Sequence, residues 1–157
     1  NEGAGKDKIR GKAGDDTIFG GDSSDIIRGN SGEDMIDGGA QNDVLFGGRG
    51  DDILSGKAGK DKIIGGEGDD QIAGGAGADR FVFAPGNGID VITDFQNDLD
   101  RLDLRKFGFA SAAEVIGLAS NSSGDTVINL KDQAFNGGLI ILEDFDVANL
   151  DAADMIL

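Results

Sequence analysis

Residues 47–73 read GGRGDDILS GKAGKDKII GGEGDDQIA, three nonapeptides that follow one another without a gap. The register extends outward from them in both directions. From Glu2 the chain gives EGAGKDKIR, GKAGDDTIF, GGDSSDIIR, GNSGEDMID and GGAQNDVLF before this stretch, and GGAGADRFV after it, ending at Val82. The sixth position is aspartate in every copy: Asp7, Asp16, Asp25, Asp34, Asp43, Asp52, Asp61, Asp70 and Asp79. The eighth is apolar in every copy, from Ile9 and Ile18 through to Phe81. Glycine and aspartate also mark flexible linkers, but a linker has no reason to place an aliphatic residue or phenylalanine two positions after each aspartate. A short fixed period of this kind is the signature of a stacked repeat architecture.

Composition narrows the chemistry. Hydrophobic residues make up 38% of the 157 and aromatics 6%, which leaves little material for an ordinary core. The 30 acidic residues against 14 basic ones give a formal charge of -16, a balance that repels phosphate backbones and anionic lipid, so neither nucleic acid nor membrane insertion is expected. Cysteine and histidine are absent, which removes disulfides, thiolate metal sites and the usual general base. Hard oxygen donors remain, and these suit calcium. No apolar run approaches the roughly 20 residues of a membrane span, and the charged, glycine-rich N-terminus is unlike a signal peptide.

The repeat resembles the RTX family, whose consensus is GGxGxDxUx. That resemblance implies an all-β fold: a parallel β-roll in which positions one to six turn, positions seven to nine form a short strand, and two repeats complete a coil of 18 residues. Strand alternation agrees, since a three-residue strand with its middle side chain inward buries position eight and exposes seven and nine. Glycines at one, two and four supply the positive φ and the close approach that a turn around an ion demands. Coils stack about 4.8 Å apart, so turns 18 residues apart are neighbours. One edge of the roll then carries Asp7, Asp25, Asp43, Asp61 and Asp79, and the other Asp16, Asp34, Asp52 and Asp70.

In the family each calcium ion lies between two such turns. It is held by both aspartates, by the carbonyls of positions one and three of one turn, and by those of positions two and four of its neighbour. Carried onto the Asp16 edge, this implies Gly11 and Ala13 with Asn30 and Gly32, Gly29 and Ser31 with Gly48 and Gly50, and Gly47 and Arg49 with Gly66 and Gly68. On the Asp7 edge it implies Gly20 and Asp22, Gly38 and Ala40, and Gly56 and Ala58 at positions one and three, with Gly75 and Gly77 at two and four of the last turn. After Phe81, Gly88, Asp90 and Ile92 recover positions four, six and eight following a two-residue insertion, a degenerate tenth turn. Asp90 becomes the neighbour of Asp70 and brings the expectation to about eight calcium ions, four per edge. The edges are unequal. On the Asp16 edge position four is always glycine and position five always acidic, whereas Ser23 and Gln41 replace that glycine on the other edge, where Lys6 and Lys60 occupy position five.

The roll is expected over 2–93 and a C-terminal, mostly β cap over 94–157. The segment FVFAPGNGIDVITDF, then DRLDL and a divergent end NLDAADMIL, resembles the region that follows RTX repeats in secreted proteases, lipases and alginate epimerases. Ser111 to Glu114 reads as a capping box opening a short helix to about Leu118. TVINL and LIILEDF read as an antiparallel pair joined across Asn136-Gly137-Gly138. A solenoid needs a cap over its last coil. The tail Asp154-Met155-Ile156-Leu157 resembles an uncleaved signal read by a type I secretion apparatus; its alternative is a final strand.

Function follows on two lines. The first is a calcium-triggered folding and export module: extended in a low-calcium cytosol, folded once secreted to an extracellular space where such sites work at about 0.1–1 mM. The chain begins mid-pattern at Asn1, which suggests excision from a larger secreted protein. The second is binding of an acidic polysaccharide, as in the R-modules of alginate C5-epimerases. Lys8, Arg10, Arg28, Lys62 and Arg80, all the basic residues at outward positions seven and nine, fall on one sheet. Eight calcium ions would offset the formal -16 and leave this stripe unswamped; solubility and protection of the sheet surface are the competing role. An enzyme is not expected, because the ordered aspartates are committed to the metal and no separate catalytic pair is evident.

Overall fold

The computed structural model describes residues 4–130 and 138–157. Two parallel sheets face each other, and the chain alternates between them with every repeat. The first holds β1 (Lys8–Ala13), β3 (Ile26–Ser31), β5 (Val44–Arg49), β7 (Lys62–Glu67), β9 (Arg80–Val82), β11 (Arg101–Asp103) and β15 (Met155–Ile156), in that order. The second holds β2 (Thr17–Gly21), β4 (Met35–Ala40), β6 (Ile53–Ala58), β8 (Gln71–Ala76) and β10 (Ile89–Ile92). It continues into β14 (Leu139–Leu142), β13 (Asp125–Asn129) and β12 (Ala119–Ser122). Pairing shifts by 18 residues per coil, Ile9 opposite Ile27 and Ile36 opposite Leu54, so this is the parallel β-roll anticipated from the repeat.

The strands are longer than expected. Most run six residues, through positions seven to nine and on through one to three of the next repeat, leaving three-residue turns such as 14–16. Pairing survives the positive φ at position two, where Lys12 lies opposite Asn30 and Asn30 opposite Gly48. The reason is the alternation itself: position eight points in, nine out, and one in again, and at position one only hydrogen faces the interior. Ile27, Leu45 and Ile63 from one sheet meet Ile36, Leu54 and Ile72 from the other, all essentially inaccessible. Glycines at position one have no left-handed φ, so their service is space rather than conformation. A methyl group on Gly38 would lie 2.7 Å from Asp43 Oδ2 and 3.0 Å from the Gly56 carbonyl oxygen.

Past Val82 both sheets continue into the C-terminal segment. β10 pairs in parallel with β8 and β14, and β11 with β9 and β15. Phe95 packs against Phe81 at 6.1 Å and edge-on against Phe145 at 5.3 Å, closing the open end of the roll. The antiparallel pair is present as β13 against β14, with β12 added outside it. Of the proposed turn between them, Asn136 and Gly137 lie outside the described residues. The short helix α1 spans Ala112–Ile116, but its capping box does not form. Ser111 makes no side-chain cap bond, and Glu114 reaches one residue further back to accept from the Ala110 amide at 2.9 Å. The final residues are a strand: Met155 lies opposite Leu102 and is buried. No helix among the described residues is long and apolar enough to cross a membrane.

Candidate metal centre

The turn aspartates form two ladders. Each backbone N–H donates to Oδ1 of the aspartate one coil later, as Asp16 does to Asp34 at 2.8 Å, Asp34 to Asp52 at 2.8 Å and Asp25 to Asp43 at 2.7 Å. The degenerate turn joins this pattern: Asp70 N–H donates to Asp90 Oδ1 at 3.2 Å across a spacing of 20, the two-residue insertion read from sequence. The other edge also gains a member that sequence reasoning missed. Asp79 N–H donates to Asp100 Oδ1 at 2.9 Å across a spacing of 21. Its signal was present in DRLDL, where Leu102 stands two residues after Asp100, but a three-residue slip concealed the register.

The second carboxylate oxygen has no such donor. Oδ2 of Asp16, Asp34, Asp52 and Asp70 on one edge, and of Asp25, Asp43, Asp61 and Asp79 on the other, is buried without a hydrogen-bond partner. No lysine or arginine forms an ion pair with any of these among the described residues. At a coil spacing of about 5 Å and an effective dielectric of 20, adjacent charges repel by roughly 3 kcal/mol, so unneutralised rows are strongly unfavourable. Burial is the main cause that pushes the Asp43, Asp52 and Asp61 carboxyls up to about 6, and the neighbouring aspartates add to it against the ladder hydrogen bonds. Asp70 and Asp90 are raised for the same first reason, burial. A cation between consecutive turns would satisfy these oxygens and cancel the repulsion, and an all-oxygen donor set fits calcium.

Carbonyl directions give the gaps between turns a polarity. The Gly29 and Gly47 oxygens at position one face back toward Gly11 and Gly29, and the position-three oxygens of Ser31 and Arg49 accept from the Gly14 and Gly32 amides of the preceding coil at 2.8 and 2.9 Å. Position-two and position-four oxygens face forward, Asn30 toward Gly48 and Gly14 and Gly32 toward Gly32 and Gly50. A gap is therefore lined by positions two and four of the earlier turn and one and three of the later one. The arrangement implied by the family resemblance pairs one and three of the earlier turn with two and four of the later, the opposite sense. Carbonyls alternate in direction along an extended chain, and the coil winds so that even positions look toward the C-terminal end. Asn30 and Gly32 thus face Gly47 and Arg49, while Gly48 and Gly50 face Gly65 and Glu67. By the same alternation Gly11 and Ala13 face the N-terminal side of their turn, while the Gly14 oxygen faces Gly32. On the other edge Gly38 faces back to Gly20, Gly56 to Gly38, and Gly74 to Gly56, the same sense, and the position-three oxygen of Ala76 accepts from the Gly59 amide at 2.9 Å. Gly75 faces the C-terminal segment, where its carbonyl accepts from the Gln96 side chain, and Gly66 and Gly68 look toward the Asp90 turn, as the Gly68 oxygen does toward Gly88.

Position five has a role unseen in the sequence. Asp15, Asp51 and Asp69 accept from the amides of Glu33, Asp69 and Ile89 at 2.7–2.9 Å, and Asn42 does so from Lys60 at 2.8 Å. These side chains stitch consecutive turns together outside the aspartate ladder.

The outward basic residues lie on the first sheet but not as an unbroken stripe. Lys8, Ile26, Val44, Lys62 and Arg80 succeed one another in one column, and Arg10, Arg28, Phe46 and Ile64 in the next. Arg28 stacks on Phe46 at 4.3 Å, beside a groove of about 420 Å³ that Arg49 also lines. Arg80 is engaged by Asp103, which also receives Arg105. Burial opposes ionisation of Asp103, but hydrogen bonds from Arg105 and Arg80 prevail and hold it at about 2.

A family profile described as RTX calcium-binding nonapeptide repeat (four copies) matches in overlapping segments from residue 3 to residue 92. Among solved structures, the AlgE6R3 subunit of the Azotobacter vinelandii mannuronan C5-epimerase is 26% identical with a TM-score of 0.60, over 98% of this chain and 80% of that one. The AlgE6R2 subunit of the same enzyme shares the fold at 24% identity and a TM-score of 0.56, over 98% and 92%. The extracellular lipase LipA from Serratia marcescens shares it at 18% identity and a TM-score of 0.50, over 92% of this chain but 38% of the lipase. No curated protein sequence matches.

Proposed function

The chain belongs to the RTX calcium-binding nonapeptide repeat family, and from that premise we propose that it is a non-catalytic module that folds on calcium and thereby supports export and extracellular folding of a larger secreted protein. The observation that carries this reading is the set of eight buried, partnerless aspartate oxygens, four on each edge, which supports about eight ions. The ligands are the turn aspartates Asp7 to Asp79 with Asp90 and Asp100, and the facing carbonyls of successive turns. Residues 2–93 act as the calcium-dependent roll and 94–157 as its cap, whose end doubles as the signal read by a type I secretion apparatus. In chelator the thin core cannot offset rows of like charge, so the repeats are disordered; calcium supplies the missing charge. Far-ultraviolet circular dichroism tests this directly. A disordered spectrum in chelator should become β-rich in millimolar calcium, with magnesium a poor substitute because it dehydrates reluctantly. A cooperative β fold that persists in chelator at pH 7.5 overturns the reading.

A second reading, binding of an acidic polysaccharide, is favoured by Arg28 stacked on Phe46 within the cluster Lys8, Arg10 and Arg28, and by likeness to subunits of a mannuronan-modifying enzyme. Stacked ring and guanidinium suit a carboxylated sugar. Short mannuronan oligomers that do not gel should bind only the calcium-loaded chain, more weakly as salt rises, and Arg28→Ser should weaken binding without moving the calcium midpoint. Absence of binding at low salt to a folded sample removes this reading.

A further inference from the structure

The tenth turn differs from the other nine in one buried atom. Among the described residues, every buried side-chain oxygen without a hydrogen-bond partner belongs to a repeat aspartate except Oδ1 of Asn87, a residue only 4% exposed. Asn87 stands three residues before Asp90, which is position three of the turn, and the positive φ of Gly86 (89°) and Gly88 (85°) on either side reproduces the pattern of positions two and four in the regular repeats. Position three of the other turns on this edge carries Ala13, Ser31, Arg49 or Glu67, whose side chains lie outside the core. Here the side chain turns inward: Asn87 Nδ2 donates to Asp90 Oδ2 at 2.5 Å, and Asp90 Oδ1 accepts from the Asp70 amide. Asp70 Oδ2, on the facing turn, is itself buried and unpartnered. A cavity of about 230 Å³ lies beside this turn, lined by Asn87, Asp90 and Gly66, by the apolar Ile64, Val82, Phe83 and Ala84, and by Lys106; Asp70 does not line it.

We propose that Asn87 is a side-chain ligand of the last cation on this edge, its Oδ1 joining Asp70 and Asp90 in the gap between their turns. The inference rests on the calcium reading above. An amide oxygen is a good calcium donor, and it adds a ligand without adding charge to a gap already holding two carboxylates. The two-residue insertion before this turn leaves Ala84, Pro85 and Gly86 exposed immediately ahead of the buried Asn87.

The alternative is that Asn87 serves only as a hydrogen-bond donor to Asp90, and the two roles predict opposite responses to one substitution. In the full chain, bound ions are counted and their affinities ranked by competition with a chromophoric calcium chelator. Asn87→Ala should lose one ion or weaken it at least tenfold, with the remainder unchanged. Asn87→Asp replaces the amide by a stronger calcium ligand and should keep that ion at equal or higher affinity. If the asparagine were only a donor, the same variant would set a carboxylate against Asp90 and weaken the ion as much as alanine does, which overturns the proposal. Wild-type affinities in Asn87→Ala overturn it too. Should Asn87→Ala fail to fold, Asn87→Asp decides alone: retention of the ion supports the ligand and its loss refutes it. Absence of calcium binding in the wild-type chain would instead refute the reading on which this one stands.

Discussion

At the scale of single residues, the turn aspartates from Asp25 to Asp79 each have one oxygen engaged and one buried without a partner. Oδ1 faces the preceding coil, where it accepts an amide, and the opposite oxygen is left for a cation. On the calcium reading, truncating one removes a ladder acceptor and a cation ligand together. The damage should be greater on the Asp16 edge, where position four is glycine in every regular turn and Asp15, Asp51 and Asp69 tie successive turns together. On the other edge Gln41 is forced to a φ of 76°, and Ser23 replaces the fourth glycine. Strain at position two is shared, since Lys12 and Asn30 on one edge and Lys57 on the other all have positive φ. Asn42 makes the same turn-to-turn bond beside Asp43, so position four decides the comparison. Asp52→Ala should raise the calcium concentration at half-folding more than Asp43→Ala, measured by circular dichroism in buffered calcium series. Equal shifts would mean that cooperativity along the stack erases local differences.

At the scale of the element, a carboxylate ladder binds protons as well as calcium. In metal-free protein the Asp43, Asp52 and Asp61 carboxyls stand at about 6, raised from 3.8 chiefly by burial. A raised folded-state value means that the folded roll holds protons the unfolded chain has released. Its contribution is present in full below the unfolded value near 4 and is lost as pH rises through about 6. In chelator, β structure should therefore increase as the solution is acidified from pH 7.5 to 4.5. With calcium present the direction reverses, because protons displace the ion, and the calcium midpoint should climb as pH falls through 6. Circular dichroism at several pH values, with and without chelator, checks both signs.

At the scale of the whole molecule, the two sheets and the C-terminal segment share one core. Phe95 joins them, touching Phe81 at the end of the roll and Phe145 in the segment beyond. Phe95→Ala removes a large side chain that is 8% exposed and should cost about 3 kcal/mol, a fall in Tm of roughly 6–12 °C for a chain of this size in saturating calcium. A single transition at the lower temperature would show that cap and roll melt together; two transitions would separate them.

The sequence by itself determined the roll. A nine-residue period with aspartate at six and an apolar residue at eight admits one economical solution, because strand alternation sends position eight inward and the glycines leave room for a turn around an ion. Even the insertion before Asp90 was legible, since Gly88, Asp90 and Ile92 keep their mutual spacing. Only the tertiary structure decided which way the carbonyls face, because one-letter periodicity is blind to the direction of a peptide plane. It also decided that strands run on through position three, that Asp100 closes the Asp79 turn after a three-residue slip, and that Asp15 and its equivalents accept amides from the next coil. Those features depend on contacts between residues 18 to 21 apart, and a side chain's partner one coil away is set by how the coils stack rather than by its neighbours in the chain. The basic residues show the same division: sequence placed them on one sheet, and packing gave Arg28 to Phe46 and Arg80 to Asp103.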